Sequence, residues 1–261
     1  MSRDTLFEVE SLERRQMMAG DVSVSVVNED LVIRGDQDGN ELMIVGFGID
    51  GVFEIIGANG TTVNGQNGVI VNGAVDDIRI NLRSGDNRLG LFDVVSRDRL
   101  DIRTGNGDDV IVFEGSGSKN QTDLSTGGGD DTIYLSRTGS RKLNVRTGSG
   151  DDELGVDRSQ YQYTQIAMSG GEDELYIGSS TLVQRARANL GGGNDRFMFE
   201  NNTLMTTDLR FSGGGGTDAA GGDPVLLQSM ELAGVTVASR SHFIDLSTGS
   251  IAGNLDLNAP V

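Results

Sequence analysis

Thr104-Gly105-Asn106-Gly107-Asp108-Asp109 recurs 22 residues later as TGGGDD (126–131) and 21 residues after that as TGSGDD (147–152). With Thr104 as position one, seven copies start at Leu82, Thr104, Thr126, Thr147, Met168, Leu190 and Gly213, in steps of 22, 22, 21, 21, 22 and 23 residues. Position four is glycine in every copy: Gly85, Gly107, Gly129, Gly150, Gly171, Gly193 and Gly216. Position six is Asn87, then Asp109, Asp131, Asp152, Asp173, Asp195 and Asp218. Position eight runs Leu89, Ile111, Ile133, Leu154, Leu175, Phe197, Ala220, and position ten Leu91, Phe113, Leu135, Val156, Ile177, Phe199, Gly222. Two residues before each start stand Ile80, Ile102, Leu124, Val145, Ile166, Ala188 and Phe211. Apolar residues at spacing two on both sides of a fixed turn mark strands.

Each copy therefore reads as strand, glycine turn, strand, and a longer polar return such as EGSGSKNQT (114–122). One such unit cannot bury its apolar side alone, whereas coils stacked about 4.8 Å apart bury a continuous column. The expected fold is all-β: a parallel β-solenoid of about seven coils over residues 78–222. Ala220 and Gly222 replace large residues in the last copy, which reads as the end of the stack. Residues 223–261 are expected to cap it. Residues 21–77 read as an N-terminal β cap or small β unit, in which FGIDGVFEII forms a hairpin with Asp50-Gly51 at its tip.

Composition narrows the chemistry. The chain has 39 Asp and Glu against 21 Lys and Arg, a net charge of −18, which argues against nucleic acid or an anionic membrane surface as a partner. Glycine fills 39 of 261 positions with only 2 prolines, suiting tight turns rather than linkers. With no cysteine, disulfides, thiolate metal sites and thiol nucleophiles are excluded. No stretch approaches the roughly 18 apolar residues of a membrane span. The single histidine, His242, lies outside the repeats and reads as a surface or cap residue.

Glycine at position four is expected where φ must be positive, and a nearby aspartate can serve the turn alone by accepting local N–H groups. Electrostatics favours a further role. Carboxylates stacked about 4.8 Å apart repel by roughly 0.9 kcal/mol in water and about 3.5 kcal/mol at an effective dielectric of 20. Six such residues, with Asp108, Asp130, Asp151 and Glu172 beside them, accumulate that penalty unless a cation intervenes. All-oxygen donors on a flexible loop favour Ca²⁺ over Zn²⁺ or Mg²⁺.

TGNGDDVIV, TGGGDDTIY, TGSGDDELG and LGGGNDRFM resemble the RTX, or haemolysin-type, calcium repeat GGxGxDxUx, where U is a large apolar residue. In that family the aspartate and turn carbonyls hold Ca²⁺ between successive turns of a parallel β-roll. By resemblance Asp109, Asp131, Asp152, Asp173 and Asp195 would be ligands, with Asp108, Asp130 and Asp151 adjoining. The period here exceeds the roughly 18 residues of two nonapeptides per coil, and one turn per coil carries the motif, so a single row of ions is implied. Ser169 replaces the second glycine in MSGGEDELY, and Asn87 leaves the first rung without its carboxylate.

The N-terminal segment 1–20 lacks the apolar core of an ordinary signal peptide. Its FEVESLERRQMMAG, through Leu12, Glu13, Arg14, Arg15, Met17, Met18 and Ala19, resembles the export segment of many planctomycete proteins. That resemblance implies a secreted or cell-surface location. Three functional readings follow: an exported, calcium-stabilised structural or adhesion solenoid, whose partners beyond calcium would be cell-surface polysaccharide or protein; a polysaccharide lyase or glycosidase on a β-helix; and a secretion module that folds only in external calcium. An enzyme needs paired carboxylates that break the periodicity, and here they repeat it. Tyr161 and Tyr163 with Arg158 form one locally unusual cluster, read as surface decoration or edge packing.

Overall fold

A computed structural model describes residues 20–49, 51–73, 76–178, 181–200, 204–205, 209–222, 231–233, 235–237, 250–251 and 255–256. Before the repeats come β1 (Asp21–Val27), β2 (Asp30–Arg34), β3 (Glu41–Gly46), β4 (Val52–Gly57), β5 (Thr62–Val63) and β6 (Gly68–Asn72). Through the repeats follow β7 (Ile78–Asn81), β8 (Arg88–Phe92), β9 (Val95–Ser96), β10 (Arg99–Asn106), β11 (Val110–Glu114), β12 (Gly117–Ser118), β13 (Gln121–Gly128) and β14 (Thr132–Ser136). Next are β15 (Gly139–Ser149), β16 (Glu153–Asp157), β17 (Gln160–Gly170), β18 (Glu174–Ile177), β19 (Leu182–Gly192), β20 (Arg196–Phe199), β21 (Leu204–Met205), β22 (Leu209–Gly215) and β23 (Asp218–Gly222). The last are β24 (Glu231–Ala233), β25 (Val235–Val237), β26 (Ser250–Ile251) and β27 (Leu255–Asp256). No described residue is helical, and no helix could therefore cross a membrane among them.

Two sheets build a parallel β-solenoid. One runs β24-β22-β19-β17-β15-β13-β10-β7-β2, the other β25-β23-β20-β18-β16-β14-β11-β8-β3, with parallel pairing throughout. The register pairs each repeat position with itself: Ile102 opposes Ile80 and Leu124, and Ile111 opposes Leu89 and Ile133. The inward columns at positions eight, ten and two before the start are buried from Ile80 to Phe211. Where Ala188 and Ala220 thin these columns, Phe197, Phe199 and Phe211 fill the space, with Phe211 meeting the other two rings edge-on at 5.6 and 5.1 Å.

Two expectations about the ends are corrected. The stack begins before residue 78: β2 and β3 form a coil of their own, with Ile33 opposite Ile80 and Leu42 opposite Leu89. The excursion through β4, β5 and β6 hides it from a search for constant spacing. Where the hairpin is expected β3 and β4 pair antiparallel, and the expected tip residue Asp50 lies outside the described residues. This pair closes one sheet together with β6, while β1 and β5 close the other. Nor does the stack end at Ala220, which pairs with Val237 of β25. Ser212 and Asp218 oppose Ala233 and Val235, so the last coil has too few residues for the glycine turn. The export-type segment up to residue 19 and His242 lie outside the described residues.

The corner opposite the glycine turn uses different chemistry. A single left-handed residue (Asp93, Gly115, Arg137 or Arg158, φ 46–65°) precedes Val94, Ser116, Thr138 or Ser159. The hydroxyls link coils: Ser116 Oγ accepts from Val94 N, and Ser159 Oγ from Thr138 N.

Candidate cation-binding ladder

The turn holds two glycine columns. At position two, Gly105, Gly127, Gly148, Gly191 and Gly214 have φ between 101° and 112°, with Arg83 and Ser169 in the same positive region. At position four a side chain is also excluded by the stack: a Cβ on Gly150 would lie 2.0 Å from Gly129 O. From Gly85 to Gly193 each position-four N–H instead donates to the next coil's position-three carbonyl, as Gly107 N does to Gly128 O at 2.7 Å. The glycines thus set the coil spacing and bring the aspartates into register.

The two aspartates of each turn do different things. Asp109, Asp131, Asp152, Asp173, Asp195 and Asp218 are at most 1% exposed. In each, Oδ1 accepts the backbone N–H of the equivalent residue one coil back, at 2.8–3.0 Å. In each, Oδ2 is buried without a donor. The neighbours Asp86, Asp108, Asp130, Asp151 and Glu172 are exposed. Their bonds run the other way: Asp108 Oδ1 accepts from Asp130 N, and Asp130 Oδ1 from Asp151 N, at 2.9 and 2.8 Å. The predicted residues therefore separate into a buried column (Asp109, Asp131, Asp152, Asp173, Asp195) and a solvated one (Asp108, Asp130, Asp151). Asp218 belongs to the buried column; its alignment at position six was the available signal.

Burial drives the inner carboxyls upward, to about 6 for Asp109 and about 7 for Asp131 and Asp173, and raises Asp152 and Asp195 as well. Neighbouring carboxylates push the same way: Asp109 and Asp152 act on Asp131. The hydroxyls of Thr104, Thr126 and Thr147 pull their own coils' carboxyls down. Each nonetheless points to a carbonyl of the next coil, Thr104 Oγ1 to Thr126 O at 3.4 Å and Thr126 Oγ1 to Thr147 O at 3.2 Å.

Asn87 reveals what surrounds the unpartnered oxygens. Its Nδ2 donates to Gly85 O, Arg83 O, Thr104 O and Asp109 Oδ1 at 2.6, 3.2, 3.4 and 3.0 Å. Asn40, paired one coil earlier, repeats the arrangement with Asp38 O, Leu82 O and Asn87 Oδ1. The amide nitrogen thus sits among acceptors only. One coil on, the same positions are Gly107, Gly105, Thr126 and Asp131, and Asp109 brings a second oxygen where Asn87 brings a donor. An oxygen among oxygens needs a proton or a cation between them.

Backbone carbonyls plus carboxylates from two successive coils form a hard, all-oxygen donor set, the kind that suits calcium. No three acidic or histidine side chains converge among the described residues, so carbonyls must complete any coordination. On donor chemistry the buried column fits the ion that the repeat resemblance implies. The two asparagine rungs, Asn40 and Asn87, fill the equivalent place with their own amide donors.

The tyrosine and arginine cluster does not assemble. Tyr161 is buried and its hydroxyl bonds Thr138, Tyr163 is 41% exposed on the sheet face, and Arg158 pairs with Asp157 at 2.7 Å. No protein-family model matches this chain, and no curated protein or solved structure matches it.

Proposed function

We propose that this chain is an exported, calcium-stabilised β-solenoid serving as a structural or adhesion element at a cell surface. The observation carrying the proposal is the column of six buried carboxylates, each with an oxygen that has no donor and that register places among carbonyls. When bound, calcium supplies positive charge to these oxygens. The chain's own contribution is the spacing: glycines hold the coils close, and Oδ1 is fixed by the preceding coil's N–H, which leaves Oδ2 and the turn carbonyls available. Binding free energy then becomes folding free energy, as in other metal-dependent domains. The export-type N-terminal segment supports the location, and the periodicity of the position-six aspartates, unbroken from Asp109 to Asp218, supports a structural rather than catalytic role.

A second occupant is favoured by one observation. Values of about 6 for Asp109 and about 7 for Asp131 and Asp173 let protons satisfy those oxygens in mildly acidic solution. Calorimetric titration of chelator-treated protein with Ca²⁺ and with Mg²⁺ at pH 8 separates the two. Calcium uptake with a higher Tm is expected, with little proton release because carboxyls at about 6 to 7 are already mostly ionised at pH 8. Absence of heat and an unchanged Tm at millimolar Ca²⁺ would leave the proton-filled column standing alone.

A further inference from the structure

The net charge of −18 is distributed unevenly. On the outward face of the sheet containing β10, β13, β15, β17 and β19, the N-terminal part is self-neutralised. Arg79 pairs with Asp30 and Asp77, Arg99 with Asp123, and Arg103 with Asp101. Across β15, β17 and β19 no acid stands on this face; the next is Glu231 of β24, opposite Arg210. Register places Asp123, Asn144, Gln165, Arg187 and Arg210 in one column, and Gln121, Lys142, Tyr163 and Arg185 in the next. Lys142, Arg146, Arg185 and Arg187 have no acidic partner among the described residues.

A shallow groove of ≈ 260 Å³ runs along this part of the face, lined by Lys142, Asn144, Tyr163, Gln165, Arg185 and Arg187. Arg185 lies over the Tyr163 ring at 5.6 Å, which holds both in place. Asn144 is only 5% exposed; its Nδ2 donates to Asp123 Oδ1 at 2.6 Å, while its own Oδ1 has no donor.

We infer that this groove binds an anionic oligosaccharide whose carboxylates meet Arg185, Arg187 and Lys142. Guanidinium groups take carboxylates in bidentate geometry, and the amides of Asn144 and Gln165 both donate and accept, which suits sugar hydroxyls. Tyr163 adds an apolar edge for a ring face. Coils stacked about 4.8 Å apart present these groups as a linear track rather than a closed pocket, which fits a polymer segment. The −18 of the whole chain is screened beyond about 8 Å at physiological ionic strength, so the local cations dominate at contact. This inference uses none of the residues of the aspartate column and stands whether or not that column holds calcium.

The test is calorimetry on the full chain with tetragalacturonate, its methyl ester and tetraglutamate, comparing wild type with an Arg185→Gln/Arg187→Gln variant. Expected is binding of the acid sugar that weakens at least tenfold on esterification and at least tenfold in the variant, with little binding of tetraglutamate. Both substitutions are at exposed positions, so an unchanged melting curve is the control that the fold survives. No binding of the acid sugar at millimolar concentration overturns the inference, as does equal binding of acid and ester. Equal binding of tetraglutamate would make the face a general anion patch. A wild-type dimer in sedimentation that the variant abolishes would make it a contact between copies. Either result also overturns it.

Discussion

Replacing Asp131 with asparagine tests the ladder most directly, because Asn87 shows what an amide does at that position. In the wild type, Asp131 Oδ1 accepts the Asp109 N–H at 2.9 Å and Oδ2 has no donor. Asparagine keeps the first interaction through its own oxygen. It turns the second into a donor aimed at carbonyls equivalent to those Asn87 reaches at 2.6–3.4 Å. A buried unsatisfied polar group costs about 1–3 kcal/mol, and more when charged. In chelator at pH 8, Asp131→Asn should therefore stabilise the chain by about that much, a rise in Tm of roughly 2–10 °C for this size. In millimolar calcium the same change removes a ligand, and the calcium-induced rise in Tm should shrink. Asp131→Ala removes the acceptor as well and should lower Tm in both conditions. Thermal melts followed by far-UV circular dichroism, with and without chelator, read all three. If Asp131→Asn destabilises the chelated protein as much as Asp131→Ala does, Oδ2 is not an oxygen lacking a donor, and the reasoning fails.

The reciprocal change, Asn87→Asp, loses three carbonyl contacts and adds a buried charge. It should lower Tm in chelator by an amount equivalent to about 1–3 kcal/mol, with calcium restoring part of the loss. The chelated wild type should also show an unusual pH dependence. A carboxyl raised in the folded state stabilises the fold below its unfolded value of about 3.9, and that contribution disappears as pH climbs through the folded value. Asp109, Asp131 and Asp173 at about 6 to 7 therefore predict a Tm that falls between pH 4 and pH 8 in chelator, which melts across that range will check. Gly129→Ala puts a Cβ 2.3 Å from Gly107 O at φ +122° and should cost at least about 2 kcal/mol in a denaturant titration. Gly128→Ala, whose nearest contact is Ser149 Oγ at 3.1 Å, should cost clearly less. Phe211→Ala empties the ring cluster with Phe197 and Phe199 and should cost about 3–5 kcal/mol. Hydrogen exchange should accelerate in β19, β20 and β22 while β7 and β10 keep their protection, because coils contact only their neighbours.

The period and identity of the turn were legible along the chain because both are local. Strand alternation requires only near neighbours, and a positive-φ turn against a stacked backbone admits only glycine at position four. The column at position six was equally legible, Asp218 included. That one aspartate of each pair is buried and the other exposed did not follow from strand alternation, because both stand in the turn between strands. Nor did the opposite directions of their hydrogen bonds, since those depend on where the next coil's N–H groups fall. The meaning of Asn87 was inverted. In sequence it was a missing ligand, and in the fold it is the rung whose amide satisfies the carbonyls itself. Its partner Asn40 was invisible to a period search because the excursion through β4 to β6 separates the two rungs by 47 residues.

The sequence by itself determined a parallel stack of strand–turn–strand coils, since repeats with apolar residues at spacing two cannot be buried in any other way. It also determined that carboxylates recur at one corner of every coil. Only the tertiary structure decided which of those oxygens are satisfied, because that depends on atoms 21 to 23 residues away brought within 3 Å. Charge followed the same division. Summed along the chain it is a single number, −18, that speaks against nucleic acid and anionic membrane surfaces as partners. Sheet register sorts the same residues into a self-neutralised half and a cationic groove. Screening limits electrostatic recognition to about a Debye length, so what a ligand meets is set by that sorting rather than by the total.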